Sequence, residues 1–328
     1  MARGARPRGS ALSMAVAPVH ETSAPPDALT VRALTRGTIL ERIGDTPLVP
    51  LRRMAAGLRG EVWVKVEGHN PGGSVKDRAA LWMVLEAERQ GELAGRAVIL
   101  EATSGNMGVA LAMVAAVRGH RVELCMPDRV SIERRRMAIA FGATVIGTDP
   151  LAGSDGAILE ARRRKSLDQT RYVYLDQYAN PANPAAHCAT TGPEIWAQSR
   201  GLVTHLVAGI GTSGTVLGAG EFLRPRGVRV VGVQPDVALH GLEGLKHMPS
   251  VMRPAIWDPS AVDWHETAST DESITVARRL AREEGVFCGP SGGAAVAVAL
   301  RYAAREDGLV VALLPDGGER YLSTPLWE

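Results

Sequence analysis

Cysteine is scarce in this chain of 328 residues, which has only Cys125, Cys188 and Cys288. Three scattered cysteines cannot form a disulfide framework, and none has a second cysteine or a histidine at the spacing of zinc ligands. A reducing cytoplasm is therefore the expected location. Cys288 lies beside a glycine-rich segment, but a buried thiol that only packs is the commoner case, so we do not expect it to be a nucleophile.

The chain also lacks a large net charge and a long apolar run. Its 37 lysines and arginines nearly balance 35 acidic residues, for a formal charge of +2. Such a balance provides no field that would hold a nucleic-acid backbone or an anionic membrane. No segment approaches the roughly 18 apolar residues of a membrane span. We therefore expect a small-molecule ligand, and neither nucleic acid nor a membrane as a partner.

The first 30 residues differ in composition from the rest. Arg3, Arg6 and Arg8 precede a stretch rich in Ala, Pro and Ser, whose apolar part at 11–19 is short and weak for a secretory signal. We interpret residues 1–30 as a disordered tail, or as the result of an upstream start with Met14 as the alternative first residue.

Short β-branched runs alternate with helical patterns from Glu61 onward, which predicts an α/β fold of parallel strands joined by right-handed crossovers. At about 100–200 residues per domain, the length predicts two domains. The predicted strands are 61–67, 97–102, 121–127, 143–147, 172–175, 205–208, 229–233 and 309–314. The predicted helices include 77–90, 109–117, 132–141 and 272–284, each ended by a glycine within two residues.

Two stretches rich in Pro, Gly and Asn interrupt this alternation. Residues 180–184 could form a crossover between domains. The longer stretch at 235–259 shows no clear periodicity, so it is either a binding loop or contains elements that the pattern does not reveal.

Residues 68–78, Gly-His-Asn-Pro-Gly-Gly-Ser-Val-Lys-Asp-Arg, run directly into an amphipathic helix and place Lys76 at its start. The positive end of the helix dipole, neighbouring Arg78 and burial would all lower the pKa of this amine. A lysine of lowered pKa can form a Schiff base with a carbonyl compound. The alternative is a solvated lysine in an ordinary first turn.

Residues 101–108, Glu-Ala-Thr-Ser-Gly-Asn-Met-Gly, follow an apolar strand and open a helix. Hydroxyl, amide and backbone N–H groups at a helix N-terminus form a receptor for carboxylate or phosphate. An N-cap formed by Thr103 or Ser104 would explain part of the pattern equally well.

Residues 209–215, Gly-Ile-Gly-Thr-Ser-Gly-Thr, match the GxGxxG pattern, and Asp236 follows about 20 residues later, as in a dinucleotide fold. This match alone is weak. Three hydroxyl side chains in the loop suit a phosphate monoester instead, because a dinucleotide loop needs bare glycine for close approach of a pyrophosphate. Either kind of phosphate site is favoured over a plain turn.

Residues 287–294, Phe-Cys-Gly-Pro-Ser-Gly-Gly-Ala, lead into a helix rich in Ala and Val. Ser291 is either the N-cap of this helix or a partner for a ring nitrogen. A neutral partner would leave a pyridine less fully protonated than an aspartate would, which suits elimination better than transamination.

In this order, the four segments resemble the cysteine synthase family of fold-type II pyridoxal-phosphate enzymes. The resemblance begins at 43–48, Ile-Gly-Asp-Thr-Pro-Leu, includes 190–196, Thr-Thr-Gly-Pro-Glu-Ile-Trp, and extends to 317–324, Gly-Gly-Glu-Arg-Tyr-Leu-Ser-Thr. Residues 101–106, 126–128 and 287–289 further resemble the B-type branch, O-acetylserine sulfhydrylase B.

The resemblance implies two domains like those of the tryptophan synthase β chain, each a twisted, mainly parallel sheet flanked by helices. Residues 31–69 and 182–328 would form the larger domain, which binds the cofactor phosphate. Residues 70–181 would form a smaller mobile domain that carries the lysine and the loop for the substrate carboxylate.

The resemblance also implies a site for pyridoxal 5'-phosphate. Lys76 would hold the cofactor as a Schiff base, Asn106 would form a hydrogen bond with its phenolic oxygen, and Ser291 would contact its ring nitrogen. The phosphate would lie on Gly211, Thr212, Ser213, Gly214 and Thr215. The substrate would meet Thr103, Ser104, Gly105, Asn106, Met107 and Gln177. Lys76 would move the α-proton while acetate leaves O-acetylserine and sulfide adds, which yields L-cysteine.

Several positions depart from the family pattern. Met107 replaces a threonine whose hydroxyl would help hold the substrate carboxylate, and Gly292 replaces a serine. Asp316 brings an acid into a loop that is more often Pro-Ser-Ser-Gly, and we expect it to face solvent. Lys246, in a loop that the B-type enzymes associate with donors such as thiosulfate, is expected to be a solvated charge, so sulfide is the preferred donor.

Other functions remain open at the level of sequence. A nicotinamide-dependent oxidoreductase would use the GxGxxG loop and would not need Lys76. A relative such as cystathionine β-synthase, a serine/threonine dehydratase or diaminopropionate synthase would use another acceptor. A non-catalytic relative would only bind a partner such as serine acetyltransferase, although an intact Lys76 opposes this. The family implies a homodimer.

Overall fold

The computed structural model describes Met1 and residues 25–328 as an alternation of strands and helices. The strands are β1 (Leu48–Pro50), β2 (Glu61–Val66), β3 (Val98–Ala102), β4 (Arg121–Pro127), β5 (Thr144–Thr148), β6 (Tyr172–Tyr174), β7 (Val203–Gly209), β8 (Arg229–Pro235), β9 (Trp264–Ala268) and β10 (Leu309–Leu314). The helices are α1 (Ala28–Thr35), α2 (Lys76–Arg89), α3 (Asn106–Arg118), α4 (Ile132–Ala140), α5 (Gly153–Leu167), α6 (Ala182–Ala186), α7 (Gly192–Gln198), α8 (Gly214–Leu223), α9 (Thr270–Arg279) and α10 (Pro290–Arg305).

One sheet has six strands in the order β1-β2-β10-β7-β8-β9. Only β1 runs antiparallel to its neighbour; the other pairs are parallel. Strand β10, with the sequence Leu-Val-Val-Ala-Leu-Leu, is buried throughout between β2 and β7. A continuous apolar run is typical of a parallel strand that is covered on both faces.

The second sheet has four parallel strands in the order β5-β4-β3-β6. Strand β3 is buried throughout, and the buried apolar faces of α2 and α3 belong to one core cluster with Ile99 of that strand. These two sheets and their helices confirm the predicted α/β class with mainly parallel strands. The division into domains at 69/70 and 181/182 stays a prediction.

Two strands were not predicted from the sequence. Strand β1 has only three residues, and β9, Trp-His-Glu-Thr-Ala, is a mostly polar strand at the sheet edge. Such short or polar edge strands carry little periodic signal. The predicted helix at 272–284 is two elements, because α9 ends at Arg279 and continues as a π-helical turn, Leu280–Glu284.

The two irregular stretches have different structures. Residues 180–184 include the start of α6, between the last strand of the four-stranded sheet and β7. Residues 236–258 contain neither a helix nor a strand, and part of this stretch lines the cleft described below. The long loop therefore lines a cleft and contains no helix or strand, which favours the binding-loop interpretation of the two.

The predicted tail lies mostly outside the described residues, including Arg3, Arg6, Arg8 and Met14. Within the described part, α1 begins at Ala28, where Asp27 caps it by accepting a hydrogen bond from the Thr30 N–H at 2.7 Å. In Met1 and residues 25–328, no helix combines the length and the apolar character needed to cross a bilayer.

Candidate active site

Segments from both sheets meet at a cleft of about 390 Å³. Each of these segments follows the carboxyl end of a strand. This is the usual position of a ligand site in an open parallel α/β sheet. The predicted site residues that line it are Lys76, Thr103, Ser104, Asn106, Met107, Gln177, Gly211 and Thr212. Five predicted residues do not line it: Gly105, Ser213, Gly214, Thr215 and Ser291.

Lys76 is the first residue of α2, as predicted. Burial lowers the pKa of its amine to about 8, while the nearby carboxylate of Asp316 opposes part of that shift. The expected contribution from Arg78 is wrong, because the Arg78 guanidinium is bound to Glu67 and Glu194. The neutral, nucleophilic form of Lys76 is therefore far more populated near neutral pH than that of an ordinary lysine.

The Thr103–Met107 loop enters α3 through Gly105, whose φ of 138° is open to glycine only. Thr103 Oγ1 accepts hydrogen bonds from the N–H groups of Gly105 at 2.9 Å and Gly108 at 3.3 Å. Gly105 is the N-cap residue, so neither Thr103 nor Ser104 occupies that position, although the Thr103 hydroxyl does satisfy helix N–H groups. Within the described residues, the N–H groups of Ser104, Asn106 and Met107 have no partner, which leaves them free for an anion.

Gln177 stands behind this loop. Its Nε2 donates to the carbonyl oxygen of Ala102 at 2.7 Å, and its side chain is buried. Buried Glu101 accepts from the Ala102 N–H at 3.0 Å, and burial raises the pKa of this carboxyl far above its ordinary value. Gln177 and Glu101 thus hold the backbone of Ala102, the last residue of β3, where the Thr103–Met107 loop begins.

The loop Gly211–Thr215 joins β7 to α8 by a sharp turn. Ser213 has a φ of 72°, and a Cβ at Gly211 would collide with the carbonyl oxygen of Gly244. Among the described residues, the N–H groups of Gly211, Thr212 and Ser213 have no hydrogen-bond partner. Three unpaired donors at the start of a helix form a receptor for a phosphate.

Ser291 is buried as the second residue of α10, whose N-cap is Gly289. The N-cap interpretation of Ser291 is therefore wrong. Cys288 is also buried, and burial raises the pKa of its thiol, which agrees with the expected packing role.

Asp316 is not exposed to solvent as expected. Only 1% of it is accessible, and its Oδ2 accepts from Asn106 Nδ2 at 2.7 Å and from the Tyr321 hydroxyl at 2.8 Å. A lone acid in a loop carries no sequence signal for such burial, because its partners lie far away in the sequence or on the following turn.

Lys246 is also not a solvated charge. It is 4% exposed, its Nζ lies 2.9 Å from Oδ1 of Asp155, and it lies over the Tyr178 ring at 4.9 Å. The ion pair attaches the long loop to α5 at the cleft wall.

Arg134 and Glu243 line the cleft but were not predicted. The Arg134 guanidinium is nearly buried, is paired with Glu243, lies 3.6 Å from Asp316 and covers the Tyr321 ring at 4.4 Å. Arg134 is one of three consecutive arginines, so nothing local in the sequence distinguished it from a solvated charge.

A family model described as pyridoxal-phosphate dependent enzyme matches residues 39–316. This chain belongs to that family. Cysteine synthase from Aquifex aeolicus is 46% identical over an alignment of 303 residues, and the match covers 89% of this chain and 93% of that protein. Cysteine synthase B from Escherichia coli is 46% identical over 290 residues, which are 88% and 95% of the two chains.

Solved structures of family members have the same fold. O-ureido-L-serine synthase has a TM-score of 0.83 and 42% identity, and it covers 89% of this chain and 95% of its own. Cysteine synthase from Entamoeba histolytica has a TM-score of 0.84 and 33% identity, with coverage of 96% and 94%. These similarities support the predicted resemblance. They argue against the alternative that the GxGxxG loop binds a nicotinamide dinucleotide.

The residues of the cleft fit pyridoxal phosphate. The family enzymes depend on this cofactor, which presents an aldehyde and a phosphate monoester. Here Lys76 is an amine of lowered pKa, and the unpaired N–H groups of Gly211, Thr212 and Ser213 suit a phosphate. The exposed position of Asp236 just after β8 offers no buried ribose contact.

Proposed function

We propose that this enzyme forms L-cysteine and acetate from O-acetyl-L-serine and sulfide. The observation that carries the proposal is the convergence of Lys76, the Thr103–Met107 loop and the Gly211–Thr212 turn on one cleft. The relatives named cysteine synthase, which match nearly the full length of the chain, support the same reaction.

Lys76 is the proposed catalytic base. When bound, the cofactor supplies the electron sink that makes the substrate α-proton acidic and its β-substituent a leaving group. With cofactor and substrate bound, the amine of Lys76 would take the α-proton and later return it. A pKa near 8 suits both steps, because the amine is readily neutral before it accepts the proton and readily charged afterwards.

We assign the cofactor phosphate to Gly211, Thr212, Ser213, Gly214 and Thr215. The unpaired N–H groups of this turn support the assignment, as does the N-terminus of α8. Asn106 would form a hydrogen bond with the phenolic oxygen of the cofactor, and Ser291 would contact its ring nitrogen.

The substrate carboxylate is assigned to Thr103, Ser104, Gly105, Asn106, Met107 and Gln177. The free N–H groups at the start of α3 supply donors and a favourable dipole. The Thr103 oxygen already accepts two N–H groups, but its hydroxyl hydrogen is still available to donate. Met107 contributes a backbone donor and a thioether where the family pattern has a hydroxyl.

Sulfide is the proposed donor, and thiosulfate is the proposed secondary donor at the same site. The cation of Lys246 is paired with Asp155, so little of its charge is left for an anionic donor. A second candidate reaction is the synthesis of O-ureido-L-serine, because a structure with that name is 42% identical to this chain. Both reactions replace the β-substituent of a serine derivative and differ in the attacking group.

We further propose that the two sheets belong to separate domains, with residues 70–181 as the mobile one, and that the protein is a cytoplasmic homodimer. We include in this proposal a complex with serine acetyltransferase. Light scattering of the purified chain, alone and mixed with a serine acetyltransferase, tests both assemblies.

The visible absorption spectrum of the purified protein tests the proposed function. We expect a yellow protein whose spectrum changes on addition of O-acetylserine, reverts on addition of sulfide and yields cysteine. Borohydride reduction and peptide mapping should place the cofactor on Lys76, and a Lys165→Ala variant should keep that label while Lys76→Ala loses it. Turnover only with hydroxyurea, the attacking group that would give O-ureido-L-serine, would favour the second candidate. A protein that cannot be loaded with pyridoxal phosphate would refute both.

A further inference from the structure

The side chain of Asn106 is held at both ends inside the cleft wall. Its Nδ2 donates to Oδ2 of Asp316 at 2.7 Å, and its Oδ1 accepts from Nη1 of Arg320 at 2.8 Å. Asp316 and Arg320 are 1% and 0% exposed, so water does not compete strongly for these two contacts.

These partners permit only one orientation of the amide. If the amide were flipped, its carbonyl oxygen would face the Asp316 carboxylate and its NH₂ group would face the Arg320 guanidinium. Both contacts would then join groups that repel each other. An amide nitrogen carries two hydrogens, and the bond to Asp316 uses one.

The carboxylate of Asp316 is itself fixed relative to the neighbouring helix starts. Its Oδ2 also accepts from the Tyr321 hydroxyl at 2.8 Å, and Arg134 Nη2 lies 3.6 Å away. The backbone at Asp316 forms a bridge with Ser74, two residues before Lys76. The adjacent Pro315 oxygen accepts from the Val75 N–H at 2.8 Å. The loop after β10 therefore positions Asn106 relative to Lys76.

We propose that Asp316 and Arg320 are positioning residues that hold Asn106 in one orientation, which leaves its second Nδ2 hydrogen for the bound cofactor. The inference rests on the proposed function, because the contact of Asn106 with the cofactor is part of that proposal. Asp316 acts through Asn106 and is assigned no contact with substrate.

A double-mutant cycle tests whether Asp316 acts through Asn106. The holoenzymes to compare are wild type, Asp316→Asn, Asn106→Ala and the double variant, by the visible absorption maximum of the bound cofactor and by kcat/KM for O-acetylserine. Asp316→Asn should move the maximum and lower kcat/KM about tenfold, since a charge-assisted buried hydrogen bond is weakened. In the Asn106→Ala background the same change should leave the maximum in place, and the change in kcat/KM, to which Asp316 also contributes through the pKa of Lys76, should be smaller than in wild type.

Asp307→Asn is the matched control, because Asp307 precedes the same strand at its opposite end and its side chain is 76% exposed. It should leave both readouts unchanged. If Asp316→Asn does not fold, Tyr321→Phe decides the question, because it removes one hydrogen bond to Asp316 and keeps the charge and the ring. It should move the absorption maximum in wild type but not in the Asn106→Ala background.

An unmoved absorption maximum in Asp316→Asn, or in Tyr321→Phe where that variant is used, would overturn the inference. So would an effect of equal size in the presence and absence of the Asn106 side chain. Either result leaves the proposed function intact if wild type is loaded on Lys76 and responds to O-acetylserine. A wild-type protein that is not loaded, or does not respond, refutes the proposed function separately.

Discussion

Arg78 Nη1 lies 2.6 Å from Oε1 of Glu194, and this ion pair joins α2, which begins at Lys76, to α7. Arg78 also donates to Glu67 at 2.7 Å, and Lys65 donates to the other oxygen of Glu194 at 2.7 Å. Two buried cations are thereby matched by two carboxylates. The start of the helix that carries the predicted cofactor lysine is fixed by this network.

We expect Glu194→Gln to lower the free energy of unfolding by about 3 kcal/mol, because one buried cation would lose its counter-charge. Urea denaturation of the apoprotein measures the loss. Asp307→Asn, which breaks an exposed pair with Arg59 at 2.7 Å, should cost less than about 1 kcal/mol. Equal losses in the two variants would show that the buried network has no special role.

Covalent attachment of the cofactor to Lys76 should become faster as the pH rises through about 8. Burial lowers the pKa of this amine to about 8, and only the neutral amine attacks an aldehyde. Apoprotein mixed with pyridoxal phosphate at a series of pH values and quenched with borohydride gives the rate. The Asp316 carboxylate raises the pKa of Lys76, so Asp316→Asn should move the midpoint to lower pH. A wild-type midpoint above pH 10 would contradict the effect of burial.

Met107→Thr should raise kcat/KM for O-acetylserine by about two- to tenfold, the range for one added hydrogen bond to the substrate carboxylate. Met107 is 1% exposed, so the smaller residue should also lower stability by about 2 kcal/mol. Met107→Val is the matched control, since valine has the shape of threonine without the hydroxyl. Equal kinetics in the two variants would rule out the hydroxyl as the cause.

Lys246→Ala should reduce kcat/KM for sulfide and thiosulfate by the same factor. Because Asp155 already neutralises this cation, its loss disturbs the loop on α5 and removes no free charge from the cleft. Asp155→Asn, in contrast, should raise kcat/KM for thiosulfate relative to sulfide, because it leaves the Lys246 cation unpaired. Initial rates with each donor measure both effects, and a selective loss of thiosulfate use in Lys246→Ala would assign the charge to donor binding.

Much of the fold could be predicted because its central strands are continuous apolar runs. Strands β4 and β10 begin and end where the pattern places them. Edge strand β9 was missed because its burial is slight and its composition polar. The loop at 236–258 could be located because it shows no periodicity, and for the same reason its path across the cleft could not be predicted.

The four segments of the candidate site were predictable because each is a local pattern at a helix start. The side chains that fix them were not, because their contacts are distant in sequence. The bond between Asn106 and Asp316 spans 210 residues, and the pair of Arg134 and Glu243 spans 109. Composition and spacing report local structure, whereas the environment of such a charge depends on the completed tertiary fold.

The position of β10 also affects how the chain is made. This strand is the last in the sequence, yet it pairs with β2, where Leu309 faces Glu61, and with β7 on its other side. A ribosome must therefore release the chain through Leu314 before the six-stranded sheet can close, and until then the facing edges of β2 and β7 are unpaired. Such long-range pairing slows folding and exposes the nascent chain to aggregation. Truncation before Leu309 should consequently produce insoluble protein, even though the Lys76, Asn106 and Gly211–Thr215 segments would all have been synthesised.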